Sequence, residues 1–169
     1  TGIKDFQAQV QNAGVGVLRG YLANADNVRV RGLEFDGSFA VNPRLSFYAS
    51  AAYTDGIYVS FRDAPPSLEN TGGPQFQDVS GQRLPGISRG AVSFGGEFAN
   101  PGGLLGRSGQ YFAAFDSSYR STFSSSATPS AYLVVDGYSL LNTRIGFRAS
   151  DGWTFSIWAR NLLNENYFD

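Results

Sequence analysis

The chain has 169 residues and a formal net charge of -1, which excludes an electrostatic pull toward nucleic acid. Cys, His and Met are absent, so thiol chemistry, a Ser-His or Cys-His pair and imidazole metal ligation are all ruled out. With 2 Trp, 9 Tyr, 14 Phe and 21 Gly against a single Lys, the composition points to strands joined by turns.

The first predicted strand is Ile3 to Val10 (IKDFQAQV). A long connection, Gln11 to Asn27, is expected next. It contains GVGVLRG (Gly14 to Gly20), whose glycines lack the spacing and following helix of a nucleotide-binding fingerprint. The second strand runs from about Val28 to Val41, and Asn42-Pro43 makes a tight turn into the third, Arg44 to Tyr58. The longest connection, Val59 to Gly86, leads to the fourth strand, Ile87 to Ala99. A short turn at Asn100-Pro101-Gly102-Gly103 precedes the fifth strand, Gln110 to Phe123. A third long connection, Ser124 to Gly137, leads to the sixth, Tyr138 to Ala149. A tight Ser150-Asp151-Gly152 turn opens the seventh, Trp153 to Leu162.

Successive side chains of a strand point to opposite faces, so each strand splits by parity. In the second strand Leu33, Phe35, Phe39 and Val41 oppose Glu34, Asp36 and Ser38. In the third, Leu45, Phe47, Ala49, Ala51 and Tyr53 oppose Ser46, Tyr48, Ser50 and Thr54. The later strands divide the same way: Val92, Phe94 and Phe98 against Arg89 and Glu97; Tyr111, Phe115 and Tyr119 against Asp116 and Arg120; Ile145 and Phe147 against Arg144 and Arg148; Phe155 and Ile157 against Thr154 and Arg160. Arg29 and Arg31 are outliers on the apolar parity near the long-loop end of their strand, and Gly32 beside them is a candidate bulge.

A soluble two-layer sandwich would show the same alternation. Two features favour a membrane barrel. Most of the strands exceed the usual length of about 5 or 6 residues and suit the 9 to 11 or so that a tilted barrel strand needs. Tight turns also alternate with long connections, as they do at the two rims of an outer-membrane barrel. In that setting the apolar face meets lipid and the charged face lines the interior; Trp153 and Tyr111, next to short turns, suit an aromatic girdle. The expected fold class is all-β: an antiparallel up-and-down meander of about seven long strands, part of a transmembrane β-barrel. No run of about 18 apolar residues is present that would span as a helix. Starting at TGIKDF without Met, the chain is expected to be part of a longer polypeptide.

The segment DGYSLLNTRIGFRASDGWTFSIWARNLLNENYF resembles the C-terminal end of the TonB-dependent outer-membrane receptors. Gly137, Tyr138 and Asn142 match a strand start of that family. Trp153 matches its aromatic-led next strand, and Asn161, Leu162, Asn164 and Tyr167 match its Asn-Leu-x-(Asp/Asn)-x-x-Tyr ending. IKDFQAQV, VRGLEFDGSF with Gly32 and Glu34, and SGQRLPGISRGAVSFGGEF (Ser80 to Phe98) are similar to earlier family segments. The resemblance implies a barrel of about 22 strands around an N-terminal plug. It makes residues 1–169 a C-terminal portion of that barrel, lacking the plug and the final strand, with FSIWARNLLNENYF as the penultimate strand and the start of an external loop.

The resemblance further implies a Gram-negative outer-membrane receptor that imports a scarce nutrient such as a ferric siderophore, energised through TonB. The implied partners are the plug, the remaining strands, the TonB complex through the plug, outer-membrane lipid, and a small-molecule or metal-chelate ligand. On the longest external loop Arg62, Asp63, Glu69, Gln75, Phe76 and Asp78 are the candidate ligand contacts. The interior charges Arg89, Arg120, Arg144, Arg148, Arg160, Glu34, Asp36, Glu97 and Asp116 suit pairing with one another or with the plug. No cofactor, resident metal or enzyme activity is expected: the carboxylates form no acid-base constellation, and no calcium-loop pattern occurs. The alternative is a soluble β-sandwich carbohydrate-binding module.

Overall fold

The computed structural model describes residues 2–14, 17–70, 72–128 and 130–167. Among the described residues nine strands occur in chain order: β1 (Gly2–Gly14), β2 (Val17–Asn42), β3 (Leu45–Ser60), β4 (Gly90–Leu104), β5 (Arg107–Arg120), β6 (Phe123–Ser124), β7 (Val134–Val135), β8 (Tyr138–Ala149) and β9 (Thr154–Ala159). Seven form one sheet in the order β1-β2-β3-β4-β5-β8-β9, while β6 and β7 pair separately. Apart from the β5 to β8 step, neighbours in the large sheet are neighbours in the chain. It is therefore an antiparallel meander, as the alternation predicted.

The chain divides into two compact units. One comprises Thr1–Leu33, Tyr53–Arg89 and Ser121–Gly137; the other comprises Glu34–Ala52, Gly90–Arg120 and Tyr138–Asp169. The first holds both long connections and the second holds the tight turns after β2, β4 and β8.

Several boundaries differ from the sequence expectation. The connection expected over Gln11 to Asn27 is mostly strand: β1 and β2 pair from Gly2↔Arg29 through Gly14↔Val17. A ladder needs only backbone donors and acceptors, so pairing continues where the apolar alternation stops. Residues 15 and 16 lie outside the described residues. β2 runs through the candidate bulge at Gly32. A Cβ there would press on the carbonyl oxygen of Tyr53 and the Cα of Thr54, so close backbone approach accounts for the glycine. Arg29 beside it is half-buried and Arg31 is exposed.

The turn expected at Asn100-Pro101-Gly102-Gly103 is strand as well, paired from Asn100↔Tyr111 to Leu104↔Arg107. The reversal falls on Leu105 and Gly106, both at positive φ (52° and 76°), the sign pattern of a two-residue type I′ hairpin turn. β4 begins at Gly90, and Ile87 packs instead against the core of the first unit. β9 ends at Ala159 because Asn161 enters the left-handed region (φ 49°). Its side chain then holds the backbone of Glu165 in both directions, accepting from the N–H at 2.9 Å and donating to the C=O at 2.8 Å. The Asn-rich segment is a stapled turn, tied further to β8 by Asn161 N–H donating to Asn142 Oδ1 at 3.0 Å.

Register confirms the two faces in the second unit. Phe98↔Ala113↔Ile145↔Ile157 and Tyr111↔Phe147↔Phe155 run across β4, β5, β8 and β9 on one face. Glu97↔Ala114↔Arg144↔Trp158 lies on the other. The apolar face is exposed along much of its length, with Ile157 62%, Ile145 57% and Phe155 56% accessible. Its one charge in these four strands, Arg107, stands beside the Leu105–Gly106 turn, ion-paired with Asp151 and stacked 5.6 Å from the Trp153 ring. Tyr111, Phe147 and Trp153 form a chain of ring contacts at 5.0 and 6.1 Å near the same turns.

Glycines let the strands approach. A Cβ on Gly95 would run into the Tyr48 ring, and one on Gly96 into Phe47. On Gly146 it would strike the carbonyl oxygen of Phe155 and the Phe112 ring. The backbone of β9 cannot yield without breaking its pairing, so Gly146→Ala is expected to destabilise the folded protein by roughly 1–3 kcal/mol. A denaturant titration of the purified protein in detergent, followed by heat-modifiable gel mobility, checks this; an unchanged midpoint refutes it.

Candidate functional site

In the first unit the longest connection folds back on β3. Residues 81–89 run beside it, with Tyr58 N–H donating to Gln82 O (2.9 Å), Gly81 N–H to Tyr58 O (2.7 Å) and Leu84 N–H to Gly56 O (3.0 Å). Further out, Ala64 and Gln77 exchange backbone bonds of 3.1 and 2.8 Å, and Val79 N–H donates to Phe61 O (2.9 Å). Backbone groups of this loop are thus paired both within the loop and against β3.

These bonds enclose a small core. Tyr58, Phe61, Ala64, Val79 and Leu84 are buried with Ala25, Val28 and Ala127. The Tyr58 and Phe61 rings meet at 5.1 Å, tilted by 54°. The second connection is bound to the first. Gly86 N–H donates to Ser124 O (2.8 Å), and the Glu69 carboxylate accepts from Ala131 N–H at the start of a 3-10 turn. Thr122 Oγ1 accepts from Gly137 N–H at 3.1 Å, closing the base of that connection. The two connections form one folded cap.

All six sequence-nominated contact residues are exposed on this cap. They fall into two groups along the loop. Arg62, Asp63 and Asp78 flank the Ala64↔Gln77 bridge, while Glu69, Gln75 and Phe76 lie on the segment beyond it. Two of them have structural duties. Asp78 Oδ1 accepts from Ser80 N–H at 2.9 Å. The Ser80 side chain and backbone, with weaker help from Arg62, hold its carboxyl below the usual range. Backbone N–H groups, including that of Ala131, do the same for Glu69. Sequence reasoning missed a crevice of about 230 Å³ where the connections meet, lined by Gln82, Arg83, Ile87, Thr122, Phe123 and Ser124 among others. Its residues lie on separate segments, and no motif joins them.

The polar face of the second unit carries a cavity of about 740 Å³ lined by Tyr48, Glu97, Asp116, Asn142, Arg144 and Trp158 among others. Glu97 bridges two arginines, at 3.3 Å from Arg148 and 3.8 Å from Arg144. Both guanidinium groups stack on Phe112, at 4.8 and 5.2 Å from the ring. Arg160 stacks on Trp158 at 4.9 Å, and Asn142 donates to Asp116 at 2.6 Å. Mutual pairing of wall charges is therefore realised here, supplemented by cation–π contacts. Among the described residues no group of three or more acidic side chains could hold a metal ion.

Long antiparallel strands with an exposed apolar face and a charged opposite face define the class of membrane-spanning β-barrel walls. A family model described as TonB dependent receptor-like, beta-barrel, matches residues 1–162, and the chain belongs to that family. No curated protein and no solved structure matches the chain. Members of the family are outer-membrane receptors that transport rather than catalyse, and their barrels partner with a plug domain.

Two predictions follow from the cap. The Tyr58 hydroxyl is buried without a hydrogen-bond partner among the described residues. An unmade bond of this kind is costly, so Tyr58→Phe should be neutral or stabilise the cap by about 1 kcal/mol; a loss of more than that in protease resistance of the cap would contradict it. The Glu69 tether depends on a carboxylate whose folded pKa lies below its unfolded value. Its contribution is complete above the ordinary Glu range and is lost as pH falls through the lowered folded pKa. Glu69→Ala should therefore lower the protection of the Ala131 amide against hydrogen exchange at neutral pH, and in acid the protection in the unsubstituted protein should fall to that of the variant.

Proposed function

We propose that this chain is the C-terminal part of an outer-membrane receptor barrel that imports a scarce nutrient, such as a ferric siderophore, energised through TonB. The observation that carries the reading is the family match along 162 residues, together with a folded external cap on the long connections. The plug and a final strand complete the barrel outside this sequence, and the plug faces the Glu97, Arg144 and Arg148 wall. A carbohydrate-binding sandwich gains no support from a charge-segregated meander with a widely exposed apolar face.

In this reading Arg62, Asp63, Gln75, Phe76 and Asp78 make first contacts with the cargo, while Glu69 holds the cap together. Arginine and aromatic side chains on a preformed surface bind oxygen-rich, partly aromatic chelates through charge-assisted bonds and stacking. Uptake of radiolabelled iron chelates by cells expressing the full receptor tests the assignment. Arg62→Ala with Phe76→Ala should weaken cargo binding about tenfold, near 1.4 kcal/mol, without lowering receptor abundance. Unchanged binding would remove these residues from the contact surface. Uptake that persists without TonB would remove the energisation.

A further inference from the structure

The apolar face of the second unit is interrupted on β2. Phe35, Phe39 and Val41 alternate along it, and Gly37 stands where the next large side chain belongs. The gap is a groove of about 300 Å³ lined by Phe35, Gly37, Phe39, Phe47, Ala49 and Phe94 among others. The Phe35 ring leans over Gly37, so that a Cβ there would lie 3.1 Å from its Cζ. Phe47 and Phe94 stack at 5.8 Å with their planes 10° apart and form the opposite wall. Phe39 and Phe35 are 67% and 63% exposed.

We propose that this groove is a binding slot for one acyl chain of a membrane phospholipid. The inference rests on the outer-membrane reading of the chain. Of its eight lining residues five are hydrocarbon side chains, one is the glycine that makes the depth, and Ser38 and Tyr48 complete the border. No charged side chain lines it, so nothing there would select a ligand or a protein partner by charge. Its walls are aromatic rings held by stacking and by the strand pleat, which present a fixed shape to a flexible chain. The groove lies close to the tight Asn42-Pro43 turn. Short turns mark the periplasmic rim of such barrels, so the chain that enters belongs to the lipid of that leaflet.

The test uses the full receptor, delipidated in detergent and titrated with dioleoylphosphatidylglycerol under native mass spectrometry. The expected result is one phospholipid bound about tenfold more tightly than those that follow. Gly37→Leu and Ala49→Leu, which fill the slot from two different strands, should each abolish that first step and leave the later ones unchanged. Heat-modifiable gel mobility reports whether each variant is folded; if Gly37→Leu is not, Ala49→Leu decides. A folded slot-filling variant that keeps the tight step overturns the proposal. So does lipid A competing as well as phospholipid does. Failure of the membrane reading is seen separately, as a receptor that fractionates away from the outer membrane.

Discussion

In hydrocarbon there is no water to receive a backbone N–H or C=O, and each unpaired group costs several kcal/mol. A strand can cross only if both its neighbours take up those groups. That constraint explains why the strands here are long, why the meander is continuous from β1 to β9, and why ladder pairing extends past the point where the side chains stop alternating. It also explains why glycine appears where strands crowd: Gly146 lets the backbone of β9 close on β8, and Gly32 does the same for β2 and β3. Side-chain preference is secondary to this. Val, Phe and Ile fill the apolar face because the surroundings reward them there, while Arg and Glu collect on the other face, where they can pair.

Parity made the two faces legible before any coordinates. Every apolar assignment in β4, β5, β8 and β9 stands in the observed register, because a strand has a fixed period of two and no local choice can alter it. Turn positions were less legible. Asn100-Pro101-Gly102-Gly103 has the composition of a turn, yet it pairs, and the reversal uses Leu105, a residue that rarely takes positive φ. Strand pairing on both sides set the hairpin's position and overrode local preference. Gln11 to Asn27 misled for the opposite reason: it lacks an apolar stripe, and the ladder that holds it leaves no trace in hydropathy.

The cap shows where sequence reading stops. The length and the Pro and Gly content of residues 59–86 marked a functional loop, and its exposed polar residues are on the surface as expected. Nothing in the sequence linked Glu69 to Ala131, which lie far apart in the chain and meet only once both connections have folded. Nor did it separate Glu69 and Asp78, which accept hydrogen bonds from backbone N–H groups of the cap, from the other nominated residues. Exposure and residue type are shared by both groups; only the hydrogen-bond partners tell them apart. The wall charges were read more fully, because Glu97 on β4 and Arg144 and Arg148 on β8 share a face across β5, and register brings them together.

The buried cluster of Tyr58, Phe61, Val79 and Leu84 also bears on how such a receptor diversifies. A loop without its own interior can exchange residues one at a time. Here the two connections share an interior and a tether, so insertions or swaps in one alter the fit of the other. Descendants that acquire a new cargo would be expected to replace both segments together, as a cassette that carries β4 and β5 with it. Recombination breakpoints should then cluster where β3 ends and where β8 begins, rather than inside either loop.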